Sequence, residues 1–476
     1  MLPSILTLFV VAGWVLTSVV PNIGGGSASP FNLSLKPCSR HRLEDIGNKA
    51  FCQCEDLPSR HKGFATYTTR WSNLEAPTPN IVIAPGTDRD VQEIVNFANT
   101  HNIPFLTCNG HHGTLTTLGK MDYGIEIYMP QLNSISIAKD GKSVTVGGGI
   151  NTKNLTDTLW AIGKQTVTGC CECVSFLGPA LGGGHGWFQG HYGLITDQLL
   201  SMKVVLANGD LKTIDSNSDL WWGMQGAGHN FGIVTSVSTK VYDIKHYDWA
   251  IETIVFSGDK VEEVYEAVNK YILQGGKQAA DIHDWTYWQN DATYSTEGPV
   301  IVIYIVQEGV TASGTYKDLA KWTGIALESP PCQDFGFNNP RFPIYIKSYN
   351  VTAQRKAWDL YSSAISGTDN PYYNSIFMFE DYASGGVRFR NNNASAFGFR
   401  DAHTLAAPLI VYNSTGKAQD NGVKKLGTQL RDIIWEGTGS KELHTYSWRQ
   451  KKLQALKQRY DPTGKFSFYA PIATHQ

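Results

Sequence analysis

Apolar residues along the chain fall into short runs punctuated by glycine, proline and asparagine, and the period of each run predicts its element. Ile81-Val82-Ile83-Ala84 is a continuous apolar tetrad ended by Pro85-Gly86, the pattern of a buried strand. Thr87 with Asp90 at the N3 position makes a capping-box signature, and Val91, Ile94, Val95 and Ala98 follow at helical spacing, which predicts a helix from about Asp88 to Asn102. Ile103-Pro104-Phe105-Leu106 returns as a strand whose exit is Asn109-Gly110-His111-His112-Gly113. Strand-like pieces continue at Ile125–Tyr128, Ile135–Ile137 and Val144–Val146, the last running into Gly147-Gly148-Gly149, and Asn154 to Ile162 reads as a helix. Met202–Leu206 is a strand closed by the Asn208-Gly209 hairpin turn, and the glycine-rich stretch from Leu220 ends in a strand near Val234.

From about Asp248 the character changes. Ala250–Phe256 reads as a strand, and Val261, Val264, Tyr265, Val268, Tyr271 and Ile272 form one helical stripe. Val300–Val306, Ser375–Phe379 and Leu409–Tyr412 read as further strands, so this half is predicted to be an antiparallel sheet backed by helices. Trp448 to Tyr460 is a basic amphipathic helix with Leu453, Leu456 and Tyr460 on one face, stopped by Asp461-Pro462. At the opposite end, Ile5–Val20 is an apolar run followed by Pro21 and the small residues Gly24–Ser29. That pattern is too short for a confident spanning helix and fits a secretory leader, although its n-region carries no Lys or Arg; an uncleaved membrane anchor is the alternative.

Composition narrows the partners. With 476 residues, 42% of them hydrophobic and 17% charged, the chain is a folded protein of more than one ordinary domain. A formal net charge of −2 with no basic run leaves no electrostatic footprint for nucleic acid. Eight cysteines suit the disulfide-permissive compartment that a leader implies, and Cys38, Cys52 and Cys54 lie close enough in sequence for an early staple of unassigned pairing. Sequons at Asn32, Asn154, Asn350, Asn393 and Asn413 are compatible with secretion.

The stretch from Thr168 to Gly193 concentrates the candidate chemistry. Cys170, Cys171 and Cys173 precede the run Gly182-Gly183-Gly184-His185-Gly186, and a segment without Cβ atoms lets backbone N–H groups approach an anion. Thiols beside such a cradle suggest a phosphate-bearing cofactor with a second anchor; a glycine-rich turn beside a disulfide is the other reading. The paired histidines of the Asn109–Gly113 loop have three readings: a metal pair, a solvent-facing loop, or a nucleophilic imidazole facing a bound electrophile. No further His or carboxylate stands nearby at ligand spacing, so no metal site is assigned.

Five motifs in one order carry a resemblance: P-G-T-x-x-D-V at Pro85–Val91, N-G-H-H-G at Asn109–Gly113, C-x-x-V followed by G-G-G-H-G, G-L-x-x-D at Gly193–Asp197, and G-A-G-H-N-F-G-I-V at Gly226–Val234. The chain resembles the berberine-bridge-enzyme-like branch of the vanillyl-alcohol oxidase superfamily, FAD-linked oxidoreductases with a p-cresol methylhydroxylase-type FAD domain. The resemblance implies an α+β fold: a leader at 1–28, a cysteine-containing segment at 29–75, a two-part FAD-binding domain at 76–246, an antiparallel-sheet substrate domain at 247–440, and a C-terminal segment at 441–476 that returns to the FAD domain. The signature Y-D-P-x-x-x-F-x-F-Y-A-P-I from Tyr460 resembles that returning segment.

The resemblance also implies a cofactor set. In this family a histidine, and in some members also a cysteine, bonds the flavin covalently; the matching positions are His112, with His111 as the alternative, and Cys171. Asn109, Gly110, Gly113, Gly182, Gly183, Gly184, Asn230, Gly232, Ile233 and Val234 complete the FAD-binding positions, with the pyrophosphate or the pyrimidine edge on backbone N–H groups. Tyr446 and Glu380 are the candidate catalytic bases. Relatives carry a Tyr-x-Asn-Tyr segment before the last helix, whereas here Glu442–Tyr446 runs directly into Ser447-Trp448-Arg449. The expectation is a secreted oxidase that uses O2 to dehydrogenate or oxidatively cyclise a small molecule, with no stable membrane association once the leader is cleaved. Two alternatives remain: a carbohydrate or alcohol oxidase, and a flavin-binding protein whose catalysis is impaired by the missing segment.

Overall fold

The structure is a computed structural model that describes residues 51–54, 64, 67–310, 335–402, 404–440 and 447–473; at 51–54 and 447–448 it describes the backbone alone. The leader, Cys38 and Tyr446 lie outside the described residues, as does any pairing of Cys52 and Cys54. Among the described residues no helix is long and apolar enough to cross a membrane.

Two sheets build the first half. β1 (Phe51–Cys54), β2 (Ile81–Ala84), β3 (Phe105–Cys108) and β4 (Ile125–Tyr128) form a sheet in the order β1-β2-β4-β3, in which β4 pairs parallel with both β2 and β3. Helix α1 (Asp88–Thr100) crosses between β2 and β3. Its capping box is formed: the Asp90 N–H donates to Thr87 Oγ1 and the Thr87 N–H to Asp90 Oδ2. The helix ends two residues before the sequence predicts, and β3 begins at Phe105, because Pro104 has no N–H for the ladder.

The second sheet runs β5 (Ile135–Ile137), β6 (Ser143–Gly147), β10 (Gly232–Lys240), β8 (Leu199–Leu206) and β9 (Leu211–Asp215). It is antiparallel throughout, with the β8–β9 hairpin turning at Gly209, φ 83°. Helix α2 (Thr152–Trp160) covers it through Leu155 and Leu159, and the short ribbon of β7 (Lys164–Gln165) with β11 (Tyr242–Asp243) closes its edge.

The second half is one antiparallel sheet of β12 (Trp249–Ser257), β13 (Ile282–Gln289), β14 (Val300–Glu308), β15 (Ile344–Ile346), β16 (Ile376–Asp381) and β17 (Thr404–Leu409), in the order β12-β14-β13-β16-β17-β15. Its period of two sends Trp288, Phe377 and Phe379 into a core roofed by the Val261–Ala267, Val351–Ile365 and Lys417–Gly437 helices. Met378 and Tyr287 point to the other face, toward the first half. The strand expected at Leu409–Tyr412 is displaced: β17 pairs in full with β16 from Thr404 to Leu409, after which the chain leaves the ladder and makes an isolated bridge between Tyr412 and Asn338.

The last helix (Ser447–Tyr460) packs Leu453, Leu456 and Tyr460 on the first half. Lys457 within it is fully buried, its Nζ donating to Asn230 O, Phe466 O and Asp461 Oδ2 at 2.7–2.9 Å. Three acceptors around one ammonium satisfy its donors, which is why the chain doubles back at Asp461-Pro462.

The two halves are pinned by a buried ion pair. Arg400 donates to both Asp197 oxygens at 2.9 and 2.8 Å, with each side chain about 1% exposed. Arg400→Met, which leaves the buried Asp197 charge only the half-exposed Arg390 at 3.6 Å, should destabilise the protein by about 3 kcal/mol and lower its thermal midpoint. An unchanged melting curve would show that the pair is not what holds the halves together.

Candidate functional site

Between the halves lies a cleft of about 960 Å3. One wall is made by the β3 exit from Cys108 to Gly113, the Cys173–Pro179 loop and Gly232–Val234; Lys465–Tyr469 of the returning segment closes its end, and Tyr287, Ile376, Met378 and Arg341 of the second half face it.

The adjacent histidines are in opposite states. His111 has φ 58°, left-handed backbone that a β-carbon disfavours, and its side chain turns inward to place Nε2 2.7 Å from Glu126 Oε1, stacked on Tyr128. Arg70 Nη1 stands 3.5 Å from the other Glu126 oxygen and 3.7 Å from Cys108 Sγ. Burial works against an imidazolium here, but Cys108 and Glu126 outweigh it and push His111 up to about 10. The sequence-based expectation of no carboxylate near this pair is therefore corrected: the parallel β3–β4 register brings in Glu126, fifteen positions on. The ligand atoms of Cys108, His111 and Glu126 lie within 4.8 Å of one another, yet the Arg70 guanidinium already supplies a cation to two of the three, which disfavours a metal ion there.

His112 projects into the cleft with the Phe335 ring edge-on at 5.3 Å. Burial lowers its pKa, Arg341 and His111 lower it further, and the Cys173 carbonyl only partly opposes them, so the imidazole is neutral with a lone pair available. His111, held as a cation, has none at neutral pH.

Cys171 lines the cleft and is exposed; it, Cys108, Cys170 and Cys173 are not in disulfides. Cys170 faces the second half instead, with Sγ 3.3 Å from the Tyr382 hydroxyl.

Several expected positions lie off the cleft wall. Gly182, Gly183 and Gly184 do not line the cleft. Gly183 and Gly184 have φ +113° and +77°, and a Cβ would come within 2.5 Å of the Phe397 ring at the first and 2.7 Å of Ile195 at the second, so Gly183 allows close packing against the second half and Gly184 close packing within the first. The glycines on the cleft wall are Gly110, Gly113, Gly148, Gly178 and Gly232. Asn230 is also off the wall. Its amide donates to Ala470 O at 3.0 Å and accepts from the Ile472 N–H at 3.0 Å, tying down the returning segment. Asn109, Gly110, Gly113, Gly232, Ile233 and Val234 do line the cleft.

Glu380 follows Ile376 and Met378 on the same face of β16, one step beyond the cleft wall. It accepts a hydrogen bond from the Tyr382 hydroxyl at 3.0 Å and is half-buried. Burial raises its pKa, with Arg341 and the Tyr382 hydrogen bond pulling the other way. Sequence reasoning missed Arg70, Trp71, Asn339 and Arg341, which only tertiary pairing gathers, and it gave no role to Lys465, Phe466, Phe468 and Tyr469, which lie within the quoted C-terminal motif.

A dinucleotide needs backbone donors and a cation for its phosphates and apolar walls for its rings. The glycine-bearing loops at Asn109–Gly113 and Ser175–Gly178 with Lys465 provide the first, and Leu106, Met129, Leu177, Ile233 and Phe466 the second, so the residues present fit FAD.

Comparison with known proteins agrees. A family model described as FAD binding domain matches residues 79–215. The fold is shared with 6-hydroxy-D-nicotine oxidase from Arthrobacter nicotinovorans (TM-score 0.73, 18% identity, 90% of this chain and 98% of that one) and with BBE-like 1 of Physcomitrella patens (TM-score 0.75, 18% identity, 92% and 100%). The fold is thus a p-cresol methylhydroxylase-type FAD-binding domain joined to a second, antiparallel-sheet domain. The FAD-linked oxidoreductase chyH of Penicillium rubens is 53% identical over 447 residues, covering 86% of this chain and 89% of that one, and this chain belongs to the same family of FAD-linked oxidoreductases.

The His111 cation gives a pH signature. Because its pKa is raised on folding, its stabilising contribution is complete below the ordinary value of 6.5 and is lost as pH rises toward about 10. His111→Gln should therefore cost a few kcal/mol at pH 6, with the deficit shrinking steadily up to pH ~10 in paired denaturant titrations. A deficit independent of pH would mean that the imidazolium is not formed.

Proposed function

We propose that the protein is an oxidase that removes a hydride and a proton from a small organic molecule, with FAD tethered covalently at His112 and a second tether at Cys171. The observation that carries this reading is the neutral His112 on the glycine-bearing wall, opposed by the β16 row that ends in Glu380. FAD, when bound, supplies the acceptor for the electron pair of the breaking C–H bond and then passes that pair to dioxygen as hydrogen peroxide. His112 offers the lone pair that a covalent tether requires, and Cys171 stands exposed in the same cleft.

Glu380 is the general base in this reading. A carboxylate raised by burial is a better proton acceptor than an exposed one, and the Tyr382 hydroxyl orients it. Tyr446 is the other candidate base. Trp71, Tyr287, Met378 and Val411 make the substrate side largely apolar and aromatic, which favours dehydrogenation or oxidative ring closure of a small molecule, of the secondary-metabolite kind, over a polyhydroxylated sugar. The apolar run Ile5–Val20 supports entry into the secretory route, with the sequons as acceptor positions for glycosylation.

The test is turnover of a panel of small aromatic alcohols, amines and phenols, with peroxide measured alongside product. One peroxide per product is expected. Glu380→Gln should slow anaerobic flavin reduction by about 10²–10⁴-fold at unchanged flavin content. An unaffected rate, with Tyr446→Phe inactive instead, would move the base to Tyr446. Product without peroxide would exclude dioxygen as the acceptor.

A further inference from the structure

Arg341 is a cation that the second half brings to the cleft, apart from Arg70 and Lys465. Arg70 is engaged by Glu126, and Lys465 stands with the returning segment at the end of the cleft. Arg341 comes instead from the second half, where it bridges Leu409 of β17, and its guanidinium lies over the Trp71 ring 4.8 Å from the centroid. Among the described residues no carboxylate reaches it at ion-pair distance; Glu380 and His112 feel its charge without bonding to it.

The surroundings hold this cation in place. The Trp71 N–H donates to His111 O at 3.2 Å, and the Trp71 carbonyl accepts from Asn339 Nδ2 at 2.5 Å, so the platform under the guanidinium is fixed from both sides. Phe337, Asn339 and Arg341 alternate along one extended segment, and all three line the cleft. Asn339 is 2% exposed and its Nδ2 is spent on the Trp71 carbonyl, so it fixes this segment against the Trp71 backbone. Beside it, a guanidinium presents donors in the fork geometry that matches a carboxylate.

We propose that the cleft takes an anionic substrate, a small organic acid whose carboxylate docks on Arg341. This assignment rests on the flavoenzyme reading of the cleft and adds the chemical class of its substrate. The shared chemistry of a substrate carboxylate and a cofactor phosphate is separated by the test.

Benzoate and its neutral isostere benzamide are titrated into the holoprotein by calorimetry, with flavin absorbance followed in parallel. Benzoate should bind at least about tenfold more tightly, and its affinity alone should weaken as salt is raised. Arg341→Met should abolish the preference and Arg341→Lys retain part of it, both at wild-type flavin content and melting temperature. Equal affinities, or no benzoate binding, would overturn the proposal. So would loss of flavin from Arg341→Met, which would assign the cation to the cofactor phosphates. Wild-type protein that purifies without flavin yet prefers benzoate through Arg341 would sink the flavoenzyme reading and leave the anion site standing.

Discussion

Everything that happens in the cleft depends on two separately cored halves meeting at close range, and the Asp197–Arg400 pair sets that meeting. Each carboxylate oxygen accepts one Arg400 nitrogen, Asp197 Oδ2 also accepts the Leu194 N–H at 3.0 Å, and Arg400 donates further to Ser395 Oγ at 2.9 Å. A charge pair this deeply buried is tolerated only when its hydrogen-bonding capacity is used in this way. Around it the chain removes side-chain bulk, so that Phe397 can lie where a Cβ on Gly183 would stand. The G-L-x-x-D turn is therefore an interface element: it brings β16 and its Met378–Glu380 face over the wall that bears His112.

Local environment then differentiates residues that the sequence sets side by side. His111 and His112 share a loop, but one is drawn into a carboxylate and a thiol and the other is left in the cleft near Arg341, so the first is a cation and the second a free base. Cys170 and Cys171 are separated in the same manner, one toward Tyr382 and one toward the cleft. At His111 the left-handed backbone, φ 58°, turns one side chain inward while its neighbour faces the cleft, so a sequence doublet becomes one structural and one chemical residue.

The period of the apolar runs was enough to locate most strands and the α1 helix, because those elements bury one face and cap themselves locally, as Thr87 and Asp90 do. The displaced strand near Leu409 shows the limit: pairing with β16 fixes where β17 ends, and that register is not written in the local apolar pattern. The loops that family motifs name, Asn109–Gly113 and Gly232–Val234, were legible as cleft-lining segments. The position of a glycine run was not, because glycine has two possible uses. The Gly182–Gly184 run reads equally as an anion cradle or as a close contact, and only the position of Phe397 decides between them. Glu126, Trp71, Asn339 and Arg341 reach the cleft or its lining loops through long-range pairing, so no window of sequence around His112 contains them.

The most direct test of the central claim, that His112 carries the flavin, is to precipitate the purified protein with acid and map the flavin-bearing peptides in the pellet by mass. The proposed function predicts flavin retained on the peptide containing His112, with a second attachment at Cys171. Flavin released wholly to the supernatant, or carried by His111, would contradict the assignment of the neutral imidazole as the tether.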